Sequence, residues 1–330
     1  MTKEFRQMAE DIYLLETPAG GVWSGIVLVE GEQKVLIDSG ECAAHIDNLL
    51  VPALQKMGYG LEEITWLCNT HCHGDHVGGH RRIVETGNIK VAAFEKSVSR
   101  LKEPLSYSKQ IRKRFPGYSP PAPTVLDGVE TNLVLKDGDT LAGRLQVVAS
   151  PGHDDDSICF YDLKTKTLIS GDSLQGNGTC TQGTALYMNL EAYRTTLERL
   201  KGMEISNIVS AHPYLLSGAD AHGKEASKRY LEKCREVTDI YEEYIQRIWT
   251  GGEREPAKIA KGLIQYMGNK KPDWLFLPLY TVHAHLKEMQ RREKTEREIK
   301  GEDYEQKYFG DRSLQRNRGS HCAGLWRAGR

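Results

Sequence analysis

Apolar positions in the first two hundred residues come as short runs broken by helical spacings. Residues 12–15 and 22–29 read as two strands split by the turn Pro18-Ala19-Gly20-Gly21, and Lys34 to Asp38 reads as a third. From Ala43 to Met57, Ile46, Leu49, Leu50 and Leu54 recur at helical spacing. A buried strand is expected around Ile64, Trp66 and Leu67, and another over 91–94. Further strands are expected at 145–149, 157–161, 167–170 and 207–210, with a helix over about 190–201 before the last. Two strand-rich halves flank helices, and polar clusters fall at strand ends. That order predicts an α/β protein, an αβ/βα sandwich whose loops meet at one edge of the sheets.

Past Asp220 the pattern turns helical. A charged amphipathic helix is expected over about 224–248, with shorter ones near 255–267 and 276–290. From about Glu293 the chain is dense in charge and Gly, which predicts a poorly ordered tail. The expected division is therefore 1–220 for a catalytic domain, 221–292 for a helical C-terminal module, and 293–330 for the tail. Residues 103–123 break the rhythm: Pro104, Pro116, Pro120, Pro121 and Pro123 argue against one long helix there. The segment reads either as a solvated connection or as a lid, with Lys109, Arg112, Lys113 and Arg114 as a basic edge for an anionic substrate.

Composition narrows the partners. With 44 basic and 45 acidic residues the formal charge is -1, so no global field draws the chain to nucleic acid or a membrane. Seven scattered cysteines without a CxxC pair suit reduced thiols in a cytosol. No run approaches the ~18 apolar residues of a membrane span, and the first residues lack a signal-peptide core. The expectation is a cytoplasmic protein acting on a small molecule, with a homodimer left open.

The chemistry is concentrated in Thr70-His71-Cys72-His73-Gly74-Asp75-His76, which follows a buried strand directly. One loop histidine is ordinarily a surface or core residue. Three with an aspartate inside six residues make a donor set for a divalent metal. Four other positions repeat the arrangement of a strand followed by a polar donor: Asp38, His153 after Ser150-Pro151-Gly152, Asp172 after Ser170-Gly171, and His212 after Ser210-Ala211. Two cations about 3.5–4 Å apart can share a hydroxide, because bound water's pKa falls towards ~7.

Over about residues 10–215 these motifs resemble the metallo-β-lactamase-fold hydrolase superfamily, whose signature is HxHxDH followed by single His, Asp and His ligands. The resemblance implies that His71, His73 and His153 hold one metal, that Asp75, His76 and His212 hold the second, and that Asp172 bridges them. It implies a supporting role for Asp38, orienting a ligand imidazole, and a proton-handling role for Asp75. The cofactors implied are two divalent ions, zinc first, with iron and manganese open because the donor set suits all three.

The chain departs from the family pattern in three places: Asp154-Asp155-Asp156 after His153, Pro213 after His212, and Cys72 between two ligands. The acids read equally as a solvated turn or as partners of the ligands, and Cys72 reads as a buried bystander. Phe160-Tyr161-Asp162, Leu190-Glu191-Ala192-Tyr193 and Leu197-Glu198-Arg199-Leu200 are similar to the quinolone-signal thioesterase branch. The expected function is hydrolysis of an ester, thioester or lactone by a metal-bridging hydroxide. A metal-dependent ribonuclease or phosphodiesterase of the same fold, and a weakly catalytic signalling or binding protein, are the alternatives. The stretch Gly218 to Glu225 nearly spells a phosphate loop but ends in Glu, so His222 is read as a helix-start surface residue, and His283 and His285 as surface residues too.

Overall fold

The computed structural model describes residues 4–87, 89–214, 218–269 and 274–299. Two sheets face each other. The first has seven strands in chain order, β1 (Arg6–Ala9), β2 (Ile12–Ala19), β3 (Val22–Val29), β4 (Lys34–Ile37), β5 (Ile64–Cys68), β6 (Lys90–Phe94) and β7 (Leu133–Leu135). The second runs in reverse order from β13 (Gly218–His222) through β12 (Asn207–Tyr214), β11 (Thr167–Gly171), β10 (Ile158–Asp162) and β9 (Leu145–Ala149) to β8 (Thr140–Leu141).

The turn between β2 and β3 is Gly20-Gly21, both with positive φ (52° and 83°), the geometry of a tight hairpin. Pro18 therefore lies in the strand, beyond the reach of β1 on its other side, where a missing N–H costs nothing.

Alternation along the strands builds two cores. Val27, Val35, Ile37, Cys68 and Phe94 of the first sheet meet Val147, Ile158, Phe160, Ile169 and Val209 of the second, all buried. On the other face of the first sheet, Leu28, Leu36 and Leu67 pack with Ile46, Leu50 and Leu54. After α1 (Ala43–His45), these come from a π-wound turn Ile46–Leu50 and from α2 (Val51–Lys56). Each fully buried Leu or Ile contributes about 1.5–3 kcal/mol.

The loop after β5 leads into α3 (Gly74–Val77) and α4 (His80–Thr86), and α5 (Val98–Lys102) and α6 (Pro104–Arg112) follow β6. Helix α7 (Leu190–Lys201) buries Leu190, Tyr193, Leu197 and Leu200 and packs on α8 (Lys224–Thr250). Helices α9 (Pro256–Tyr266) and α10 (Phe276–Ile299) complete the chain as described. The fold class is thus the expected sandwich with a helical C-terminal region.

Several elements differ from expectation. β1, β7, β8 and β13 are added; β13 pairs antiparallel with β12, so the near-phosphate-loop stretch is an edge strand followed by α8. As the prolines of 103–123 imply, no long helix spans that stretch: α6 is nine residues long and Pro104 opens it, since the first helical turn needs no N–H there. His285 is buried, with Nε2 2.7 Å from Tyr187 Oη, which corrects its reading as a surface residue. His222 is exposed at the end of β13, beside Asp220. Among the described residues the contacts divide into two units between His285 and Leu286, so the expected division at 220/221 falls inside the first unit. The expected disordered tail falls outside the described residues from 300 on, and 293–299 belong to α10. Among the described residues no helix is long and apolar enough to cross a membrane, and each described cysteine is a free thiol.

Arg144 ties the sheets together. It donates to both oxygens of buried Asp162 at the end of β10, to Asp11 Oδ2 (3.2 Å) in the β1–β2 turn, and to the carbonyls of Glu30 (2.7 Å) and Glu10 (3.1 Å). Arg144→Ala would leave the Asp162 carboxylate with only its two Thr165 donors, and is expected to lower unfolding free energy by about 1–3 kcal/mol in denaturant titration. Metal content should not change, since Arg144 sits at the sheets' other end from the histidines.

Candidate metal centre

The strand ends bring all seven expected donors into one cluster. The ring nitrogens of His71, His73 and His153 lie within 4.8 Å of one another, as do one donor atom each from His71, His76 and Asp172, and from Asp75, His76 and His212. His153 Nε2 is 3.2 Å from His71 Nε2 and 3.0 Å from His73 Nδ1. Three imidazole nitrogens converging this closely form a donor set for a cation.

Asp172 stands between the two groups. Its Oδ1 is 3.5 Å from His76 Nε2 and 3.4 Å from His212 Nε2, while its Oδ2 is 3.6 Å from His153 Nε2. His76 Nε2 and Asp172 Oδ1 are buried and lack a hydrogen-bond partner. Orphaned buried donor atoms are costly unless something satisfies them, and a divalent cation would do so here. The residues present therefore fit the metal pair. Gly171 sets the approach: its φ is +50°, and a Cβ there would fall 2.6 Å from Thr70 Cβ.

Each imidazole is held from behind, which fixes the nitrogen it presents. Asp38, at the end of β4, accepts from Thr70 N (2.7 Å) and Thr70 Oγ1 (2.9 Å) and lies 2.8 Å from His76 Nδ1. His212 Nδ1 is 2.6 Å from the Trp23 carbonyl, and His153 Nδ1 is 2.9 Å from the Leu186 carbonyl. The Trp23 carbonyl only accepts, so His212 carries its proton on Nδ1 and leaves Nε2 free, while His153 Nδ1 also has the Gln175 amide nitrogen 2.9 Å away. Pro213 fits because β12 breaks its pairing with β13 between Val209 and Tyr214, so no ladder N–H is missed.

The three acids divide. Asp155 is exposed, whereas Asp154 and Asp156 are buried. Asp154 Oδ2 is 3.2 Å from His73 Nε2 and bonds to the Tyr107 hydroxyl, and Arg100 pairs with Asp154 (3.0 Å) and Asp156 (2.8 Å). The run is thus a clamp on His73 rather than a solvated turn. Cys72 is buried, and its thiol meets the Ser97 carbonyl at 3.6 Å.

Charge separates the two halves in the metal-free protein. Burial and neighbouring imidazoles hold His71 well below its ordinary pKa, and burial with His73 pulls His153 down to about 4. Burial would also lower His76, but Asp75, Asp38 and Asp172 outweigh it and push it up to about 10. His212 is raised in the same way by Asp172 and Asp75. Metal uptake at the second group must therefore expel protons.

The sequence offered no sign of the support given by residues 173–189. Gln175 Oε1 accepts from Leu186 N (2.7 Å), placing the carbonyl that holds His153. This buried loop has little regular structure, and helices satisfy its backbone: Tyr230 Oη donates to Leu174 O (2.8 Å), Tyr241 Oη accepts from Ala185 N (2.9 Å), and Thr281 Oγ1 donates to Ala185 O (2.6 Å). The helical region thus steadies the metal centre.

A cavity of about 500 Å³ opens on His73, Asp75, Asp172 and His212. Of the four expected basic residues, Arg112 lines it; Lys109, Lys113 and Arg114 are exposed and do not.

The family model described as the Metallo-beta-lactamase superfamily matches residues 17–212. A Beta-lactamase-like protein 2 homolog of Caenorhabditis elegans is 24% identical over 221 residues, 66% of this chain and 65% of that protein. A protein named hydroxyacylglutathione hydrolase, from a Synechococcus strain, is 30% identical over 183 residues, 53% of this chain and 60% of its own length. The chain thus spans about two thirds or less of these curated relatives. Among solved structures, a metallo-beta-lactamase family protein of Thermus thermophilus shares the fold, with a TM-score of 0.67 at 18% identity, covering 86% of this chain and 95% of that one.

Proposed function

The chain belongs to the metallo-beta-lactamase superfamily, and on that premise we propose that it is a dinuclear-metal hydrolase of an ester, thioester or lactone. The reading rests above all on Asp172, whose two oxygens face the two histidine groups separately. His71, His73 and His153 would hold one ion, Asp75, His76 and His212 the other, with Asp172 between. Bound there, the ions supply Lewis acidity and water activated near neutral pH.

The chain's own residues do the rest. Asp38, the Trp23 carbonyl and the Leu186 carbonyl keep Nε2 of His76, His212 and His153 turned inward. Asp75 lines the cavity with Oδ2 3.2 Å from His212 Nε2, placed to take the proton released as water adds to the acyl carbon. The C–O or C–S bond then breaks, and the proton passes to the departing oxygen or sulfur. A relative named for an acylglutathione, which is a thioester, supports that substrate class. Against a ribonuclease reading, the cavity carries one permanent cation among its described lining residues, too few for a polyanion.

The test is a panel of thioesters, lactones, phosphodiesters and short RNAs, run on protein stripped by chelator and reloaded with zinc, iron or manganese. About two equivalents of metal and metal-dependent cleavage of a thioester, ester or lactone are expected. Cleavage of RNA alone would replace this reading with the nuclease, and metal binding without turnover of any substrate would favour a binding protein.

A further inference from the structure

Arg112, the last residue of α6, differs from the other partly buried arginines. Arg100 pairs with Asp154 and Asp156, Arg144 with Asp162 and Asp11, and Arg194 with Asp239 and Glu242. Arg112 pairs with no carboxylate among the described residues, and its Nε is buried without an acceptor. A guanidinium left this way carries an unanswered desolvation cost, which an incoming anion removes.

The side chain is also held still. Nη1 donates to Ser108 O (3.1 Å) and Ser108 Oγ (2.5 Å), one turn back along α6. Ser119 Oγ donates to the Arg112 carbonyl (2.6 Å), and Tyr280 Oη donates to the Ile111 carbonyl (2.6 Å), fixing the end of the helix from two sides. The wall around it is apolar: Ile111, Pro121, Leu126, Met188, Trp274 and Tyr280 line the same cavity, which opens on Asp75, Asp172 and His212. An ordered cation in an apolar wall beside the candidate metal centre recognises one negative charge on an otherwise apolar molecule.

We propose that Arg112 is the specificity residue of this cavity and selects acyl substrates that carry a carboxylate on an apolar body. The inference deepens the hydrolase reading and rests on the same cavity. A carboxylate is preferred to a phosphate or diphosphate because one guanidinium answers one charge, and Glu41, which also lines the cavity, opposes further negative groups.

The test compares the S-adipoyl and S-hexanoyl thioesters of N-acetylcysteamine, equal in chain length and differing in the terminal carboxylate, on metal-loaded wild type, Arg112→Gln and Arg112→Lys. Wild type is expected to favour the adipoyl substrate roughly 10- to 100-fold in kcat/KM, chiefly through KM. The preference should vanish in Arg112→Gln and partly return in Arg112→Lys, which a purely structural role would not produce. Persistence of the preference in Arg112→Gln, or its absence in wild type, overturns the proposal. If wild type hydrolyses neither thioester, the hydrolase reading fails on its own, and Arg112 is judged by calorimetry with 4-phenylbutyrate and 4-phenylbutyramide. Tighter carboxylate binding in wild type, lost in Arg112→Gln, supports the assignment; an advantage retained in the variant, or none in wild type, refutes it. If Arg112→Gln does not hold metal as wild type does, Arg112→Lys decides by the same comparison: an undiminished preference refutes the proposal and a reduced one supports it.

Discussion

Asp172→Asn is expected to lose one of the two metal equivalents and more than about 100-fold in kcat/KM, beyond the 10- to 100-fold typical of residues that only support a ligand. The substitution keeps the side chain's shape but gives one end an NH2 group, which has no lone pair for a cation. Whichever way the amide turns, either the His76–His212 side at 3.5 and 3.4 Å or the His153 side at 3.6 Å loses its oxygen. The negative charge that offsets repulsion between two dications goes as well. The metal-free form should melt lower as well, because the Asp172 charge there faces the His76 and His212 imidazoles whose protonated forms it favours, and the added stability on metal loading should fall. Elemental analysis and melting with and without metal check this; two tightly held equivalents in the variant would remove Asp172 from the bridge.

The donors were legible in the chain because their chemistry is carried by side-chain type at strand ends. His71, His73, Asp75 and His76 fall within six residues, and Asp38, His153, Asp172 and His212 each follow an apolar run. What holds them was legible only in part. Trp23 and Leu186 act through carbonyls, which any residue possesses. Residues 173–189 are rich in Thr, Gln, Asn and Gly, the composition of a solvated loop, yet they are buried because Tyr230, Tyr241 and Thr281 answer their backbone.

The missed elements have physical reasons of the same kind. Strand β8 is two residues long, and β13 reads Gly-Ala-Asp-Ala-His, with no apolar alternation to find. His285 was misread because the first turns of α10 bury Phe276, Leu279, Tyr280, Val282 and Ala284, on more than one face. A helix buried around its girth has no polar stripe against which a histidine could be placed. The basic cluster is divided more finely than its composition suggests: Arg112 lines the cavity, while Lys109 and Lys113 are in solvent.

Asp38→Asn is expected to weaken the second metal by about 10- to 100-fold without touching any donor atom. Position 38 has φ 63°, which asparagine tolerates, so backbone strain is not the cause. The native carboxylate accepts at both ends, from Thr70 N at 2.7 Å on one oxygen and from Thr70 Oγ1 at 2.9 Å and His76 Nδ1 at 2.8 Å on the other. An amide cannot do this. With its oxygen towards Thr70 N, its NH2 faces His76 Nδ1, which must give up its proton to accept. The neutral ring then carries the proton on Nε2, the atom 3.5 Å from Asp172 that should bind metal. With the amide reversed, two N–H donors meet at Thr70, at a cost of about 1–3 kcal/mol in stability. Asp38 contacts no cavity, so saturating metal should return kcat to within about threefold of wild type, whereas Asp172→Asn should not recover. Competition against a chelator gives the affinity, and turnover against metal concentration gives the recovery. An unchanged affinity, or a kcat that stays low at saturating metal, would mean that Asp38 does more than turn His76.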